Sequence, residues 1–128
     1  MTLLSVVILT KNEELHIERA LDSVQGIADR VFVIDSGSSD RTVELATARG
    51  ATVLHKPWVN YATQFNWALD QLPQDTQWVL RLDADEIVTP SLAQEIDAKL
   101  QEVRKHMRDT HKDAKTAIRD VLGIDLQR

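Results

Sequence analysis

The sequence contains no cysteine, which excludes disulfides and zinc–thiolate centres and is compatible with a reducing compartment. Aromatic residues make up only 5%, too few for a series of stacking platforms for single-stranded nucleic acid. Positive charge is in deficit: 15 Lys/Arg face 20 Asp/Glu, a net −5. That is the wrong sign for a phosphate-backbone binder, and no nucleic-acid partner is expected. No apolar run approaches the roughly 20 residues that span a bilayer. The apolar start, residues 1–10, lacks the basic region and small-residue cleavage site of a signal peptide, and reads as a buried strand. A cytoplasmic protein is expected, at most peripheral at the inner membrane face.

What is present fits one globular domain. The chain has 128 residues, 43% hydrophobic and 27% charged, the proportions of a folded soluble protein. The charge is uneven. Residues 1–99 hold 8 Lys/Arg and 15 Asp/Glu, whereas residues 100–128 hold 7 and 5. The organisation expected is a unit over residues 1–98 followed by a helical tail over 99–128.

Strand and helix patterns alternate along the first unit. Leu3–Leu9 and Arg30–Asp35 are apolar, Val/Ile-rich runs suited to strands buried on both faces of a parallel sheet. Ala51–Leu54 and Trp78–Asp83 read as two further strands. Asn12 is the expected cap of a first helix whose apolar face is Leu15, Ala20, Leu21 and Val24, with Gly26 as its stop. Thr42–Arg49, stopped by Gly50, and Tyr61–Leu72, closed by Pro73, are the next helices. Thr89 or Ser91 caps a last one, with Pro90 in its first turn. The order implies an α/β fold with a mostly parallel sheet of about four strands flanked by helices. Ligands of such sheets bind beyond the carboxyl ends of the strands.

Three of those ends carry carboxylates: Glu13 after the first strand, Asp35 and Asp40 around the second, Asp83 and Asp85 at the fourth. Gathered carboxylates repel one another unless something positive sits among them. Mg2+ or Mn2+, which take hard oxygen ligands and usually share them with substrate phosphates, are the expected cofactors. Asp83-Ala84-Asp85 is the centre of that site, Asp85 and Asp83 being the metal candidates. The plainer alternative is two solvated aspartates at a strand end. Asp35 either accepts from a base or ribose or is bonded to the turn amides of Ser36–Ser39. Asp40 reads as a helix cap, and Lys11 either meets a phosphate or is solvated. The four histidines have no metal-ligand spacing. Trp58 beside Pro57 suits an exposed loop.

Three blocks, Val6–Glu14, Val33–Thr42 and Leu80–Glu86, resemble family 2 glycosyltransferases in order and spacing. Trp58–Leu69 is similar to the subgroup that includes lipopolysaccharide core glycosyltransferases. The resemblance covers about residues 3–97 and implies the nucleotide-sugar half of a Rossmann-like GT-A fold. It implies that Thr10, Asn12, Glu13, Asp35, Ser36 and Asp83 line the nucleotide-sugar pocket. Asp85, with Asp83, would hold the metal that bridges the diphosphate. The implied donor is a nucleoside-diphosphate sugar, a UDP-sugar first, and the implied acceptor a glycan or lipid-linked one. The family's catalytic base comes from an acceptor half after the Asp-x-Asp motif, so no catalytic residue is assigned among the 43 residues that follow Asp85. Phe65 departs from the subgroup, which usually carries Lys or Arg there to meet phosphate.

In the tail, Ile96, Leu100, Val103, Met107, Ala114, Ile118 and Val121 form a heptad-like stripe, interrupted at Thr110/His111 and ending at Gly123. One long helix covering the sheet is the plainer reading, and a homodimerisation helix the sharper one. Two alternatives stand beside the enzyme: a non-catalytic nucleotide-binding or protein-interaction remnant, and a dehalogenase-type phosphatase, whose Asp-x-Asp opens its fold rather than following two thirds of the chain. A dinucleotide oxidoreductase is disfavoured, because no Gly-x-Gly-x-x-Gly follows the first strand.

Overall fold

The computed structural model describes residues 2–123. Nine elements follow one another: β1 (Leu4–Thr10), α1 (Ile17–Val24), β2 (Arg30–Asp35), α2 (Thr42–Ala48), β3 (Thr52–His55), α3 (Tyr61–Gln71), β4 (Trp78–Arg81), α4 (Pro90–Thr110) and α5 (Ala114–Leu122). The four strands form one sheet in the order β3-β2-β1-β4. Every pairing is parallel, as the α/β alternation implies.

Strand alternation sends the side chains to two different layers. Val6, Ile8 and Val33 face one layer with Ile17, Ala20 and Val24 of α1, Ala46 of α2, Leu100 and Val103 of α4, and Ile118 of α5. Val7, Phe32 and Ile34 face the other, where α3 contributes Ala68, Phe65 and Trp67. One side of the sheet is thus covered by four helices and the other by α3 alone. The strand order reverses at β1: the chain runs from β1 through β2 to β3 at one edge, then crosses beneath α3 to β4 at the other.

Three expectations need correction. The first helix does not begin at Asn12. Asn12 is left-handed (φ 54°), residues 14–16 form a turn, and α1 starts at Ile17. Leu15, expected on its apolar face, is 86% exposed, and Ile17 is buried in its place. The fourth strand ends at Arg81, two residues early, because Asp83 and Glu86 close a turn. The long C-terminal helix is present as α4, but the stripe does not stay in it and continues in a second helix, α5. His111 takes a left-handed conformation (φ 57°), and Asp113 restarts the chain by accepting from Thr116 N–H at 2.8 Å. The break falls where the stripe is polar.

The tail's stripe is otherwise used as the plainer reading expects. Leu100, Val103, Ala114 and Ile118 are buried, with Ile96, Met107 and Val121 packed against them. A contact between two copies would have to use another face of these helices. Thr89 caps α4, accepting from Leu92 N–H at 3.3 Å. Residue 98 lies inside α4, and residues 124–128 of the tail lie outside the described residues. Because Ile118 is fully buried, Ile118→Ala is expected to cost about 3 kcal/mol in urea unfolding. A cost below about 0.5 kcal/mol, ordinary for a surface position, would show that α5 is not part of the core.

Candidate functional site

The chain leaves β1 and β2 through two loops that are tied together by their own side chains. Thr10 O accepts from both the N–H (3.0 Å) and the hydroxyl (3.1 Å) of Ser36. Asn12 N–H donates to Ser38 Oγ at 2.8 Å, and Asn12 Oδ1 accepts from Ser39 N–H at 2.8 Å. Glu13 N–H donates to Thr42 Oγ1 and Glu14 N–H to Asp40 Oδ2. Asp40 also accepts from Thr42 N–H at 2.9 Å. It is expected to cap α2, but the N-cap position is Arg41, which makes no side-chain cap bond, and Asp40 sits one residue before it, tied to the first N–H of the helix.

Asp35 is the hub of this arrangement. It is 1% exposed. Its carboxylate accepts from Thr10 Oγ1 (2.8 Å), Ser38 Oγ (2.6 Å), Ser38 N–H (2.8 Å) and Gly37 N–H (3.0 Å). Four donors occupy the roughly four lone-pair positions a carboxylate offers. Burial pushes this carboxyl up, but the bonds from Ser38, Thr10 and Gly37 outweigh it and hold Asp35 below its ordinary value. Gly37 adopts φ +104°, a conformation side chains disfavour. It places its carbonyl to accept from Lys11 Nζ at 2.6 Å.

The fixed loops form one wall of a cleft of about 600 Å³ at the carboxyl ends of β1, β2 and β4. Thr10, Lys11, Glu13 and Ser36 line that wall, Asp83, Ala84 and Asp85 another, and Trp58, Tyr61 and Gln64 the side toward α3. The cleft lies between β1 and β4, where the strand order reverses and where sheets of this kind bind ligands. Beyond Arg81 the chain stays beside β1 for one more bond, Leu82 N–H to Val7 O at 3.1 Å. It then turns, with Glu86 N–H donating to Asp83 O (2.9 Å) and Asp83 N–H to Glu86 Oε1 (2.8 Å). Burial still alternates through the turn. Leu82 and Ala84 are buried, and Asp83 and Asp85 are exposed on the cleft.

Of the residues singled out in the sequence, Thr10, Glu13, Ser36, Asp83 and Asp85 are brought together on the cleft. Asn12 and Asp35 do not line it; both are spent on the loops. Lys11 is the single cation among the lining residues, against Glu13, Asp83 and Asp85. Among the described residues no cluster of three His, Asp or Glu could hold a metal alone. Glu13 also meets His16 Nδ1 at 3.1 Å. Phe65 packs in the α3 layer, and the Arg81 guanidinium lies 5.6 Å from its ring centroid.

The sequence reading missed Gln64 and Tyr61. Gln64 had one legible signal, a polar residue sharing a helix face with the buried Ala68 four positions on. Trp58 is half exposed, as its place beside Pro57 suggested, and meets Tyr61 edge-on at 5.0 Å between ring centroids.

Residues 5–115 match the family described as Glycosyl transferase family 2. The chain belongs to this family. It is 46% identical over 94 residues to an uncharacterised glycosyltransferase of Rickettsia bellii, covering 73% of this chain and 31% of that protein. It is 33% identical over 94 residues to the lipopolysaccharide core biosynthesis glycosyltransferase LpsC of Rhizobium meliloti, covering 70% and 34%. Among solved structures it resembles glucosyl-3-phosphoglycerate synthase of Mycobacterium tuberculosis in complex with Mn2+, uridine diphosphate and phosphoglyceric acid. There the TM-score is 0.58 and the identity 31%, over 67% of this chain and 34% of that one. The fold is that of the GT-A glycosyltransferases. The chain spans about a third of the length of the curated relatives it matches.

Asp35→Asn would set an amide N–H2 against donors that now meet a carboxylate, and is expected to cost about 2–3 kcal/mol in urea unfolding. The folded pKa of Asp35 is depressed, so its contribution is complete above the unfolded carboxyl value and is lost as pH falls through the lower folded one. The acid limb of stability below about pH 4 should be shallower in Asp35→Asn. Equal stability and an equal acid limb in both proteins would contradict the assigned hub.

Proposed function

We propose that this chain is the donor-binding part of a glycosyltransferase and that the cleft takes a nucleoside-diphosphate sugar, with a UDP-sugar as first candidate. The observation that carries this reading is the exposed pair Asp83 and Asp85 on the cleft wall at the point where the strand order reverses. Three carboxylates and one lysine make the lining net negative, which repels a diphosphate unless a cation lies between them. The donor set fits a hard divalent ion that takes one or two carboxylates and completes its shell from phosphate oxygens. Mg2+ or Mn2+ held by Asp85, with Asp83 beside it, would neutralise charge on the departing nucleoside diphosphate. Complexes of the mycobacterial neighbour with Mn2+ or Mg2+ and uridine diphosphate support this choice.

The chain's own residues prepare the site. Thr10 and Ser36 hold the strand ends in register, and Glu13 faces the nucleoside from the first loop. Lys11, steadied by Gly37 O, offers the phosphates a cation. Asp35 and Asn12 act through the loops they brace. Transfer itself belongs to the whole enzyme, whose acceptor-binding part supplies the base that takes the proton from the acceptor hydroxyl. The proposed acceptor is a glycan or lipid-linked one of the cell envelope, lipopolysaccharide among them, a reading supported by the name of the Rhizobium relative. That acceptor would be met in the cytoplasm, at the inner membrane face. Among the described residues no helix is long and apolar enough to cross a membrane.

Calorimetric titration with uridine diphosphate, with and without Mn2+, tests the reading. The expected result is binding at least about tenfold tighter with the metal, with that gain abolished in Asp85→Ala. Absence of binding to either protein would favour the protein-interaction remnant instead.

A further inference from the structure

We infer that Gln64 is a specificity-determining residue that reads the imino N–H of the donor's nucleobase. The inference rests on the donor-binding reading and adds a residue and a base preference to it.

Gln64 lies in α3 with no exposed surface, yet it is one of the residues that line the cleft. Its Nε2 donates to Lys56 O at 2.9 Å. That bond decides the orientation of the amide, because the opposite one would set two carbonyl oxygens against each other. Lys56 is itself held, its N–H donating to Asp35 O at 3.0 Å. The amide is thus fixed to the end of β2 through a chain of two bonds. Its Oε1 has no partner, and it is the one buried side-chain polar atom among the described residues left in that state. An unmet buried acceptor costs about 1–3 kcal/mol, and folded proteins rarely leave one without a reason.

The surroundings say what kind of donor fits. Leu9 and Ile34 supply apolar walls, and Trp58 and Tyr61 a half-exposed aromatic rim. A flat ring with one N–H on its edge matches an apolar slot with one unmet acceptor. Uracil and guanine carry an imino N–H. Cytosine and adenine carry a lone pair at the corresponding ring nitrogen, which would face Oε1 acceptor to acceptor. A site built around an unmet polar group rejects the ligand that leaves it unmet more strongly than it rejects a change in size. The oxygen is closed to water in the free chain.

The test uses the full chain with Mn2+ and two kinds of change. On the unmodified protein, UDP should bind at least about tenfold tighter than CDP or than 3-methyl-UDP, in which the N–H is replaced. GDP binding tighter than ADP would extend the same preference to purines, and the reverse order would overturn it. In Gln64→Met, which keeps the volume and removes the acceptor, the UDP-to-CDP ratio should fall to within about threefold of unity. Equal binding of UDP and 3-methyl-UDP, or a ratio that survives in Gln64→Met, overturns the role of Gln64 and leaves the donor site standing. If Gln64→Met does not fold, the 3-methyl-UDP comparison decides alone. Failure of every nucleoside diphosphate to bind removes the donor site, and this inference with it.

Discussion

One buried carboxylate governs the architecture of the cleft. Asp35 ends the second strand, and its position between four donors fixes Thr10 on one side and the Gly37–Ser38 turn on the other. A neutral or absent group there would leave two backbone N–H groups and two hydroxyls competing for other partners. The loops after β1 and β2 would then lose their common anchor. Lys11 and Asn12 keep their places because the turn they bond to is itself held, and Glu13 is tied to Thr42 at the start of α2. The carboxylate is therefore committed to structure, and the cleft's free charges are supplied by neighbours that it positions.

Those free charges define the chemistry. Alternating burial, continued four residues past the end of β4, hides Leu82 and Ala84 and leaves Asp83 and Asp85 to the cleft. The strand order brings that pair beside the end of β1. α3 covers the opposite face of the sheet and lends the buried Gln64 to the lining, with Tyr61 and the preceding Trp58 on the rim. The acidic end thus suits a cation and a diphosphate, while the apolar end suits a ring. A nucleoside diphosphate has both parts in one molecule.

Much of this was legible in the residues. Val/Ile-rich runs marked the buried parallel strands, and the order of strands and helices gave the class of fold. Asp83 and Asp85 stood out because they follow a strand. The errors have local causes. Asn12 has the side chain of a helix cap, but a tertiary bond to Ser39 held it in a left-handed turn and delayed α1 by a turn. His111 interrupts a stripe whose spacing continues across it, so periodicity alone joined two helices into one. Asp35 carried two readings, base contact or turn acceptor, and only the count of its hydrogen bonds separates them. Gln64 was passed over because its importance lies in a missing bond, which no spacing reveals.

The most direct test of the central claim is to locate the cation. Amide-resolved NMR of the full chain with uridine diphosphate, titrated with small amounts of paramagnetic Mn2+, reports proximity residue by residue. The account predicts that Leu82–Glu86 and Thr10–Glu13 broaden first, while α5 stays sharp, and that the effect needs the nucleotide. Broadening centred on the acidic residues of α1 or α4, or equal broadening with and without nucleotide, would contradict it.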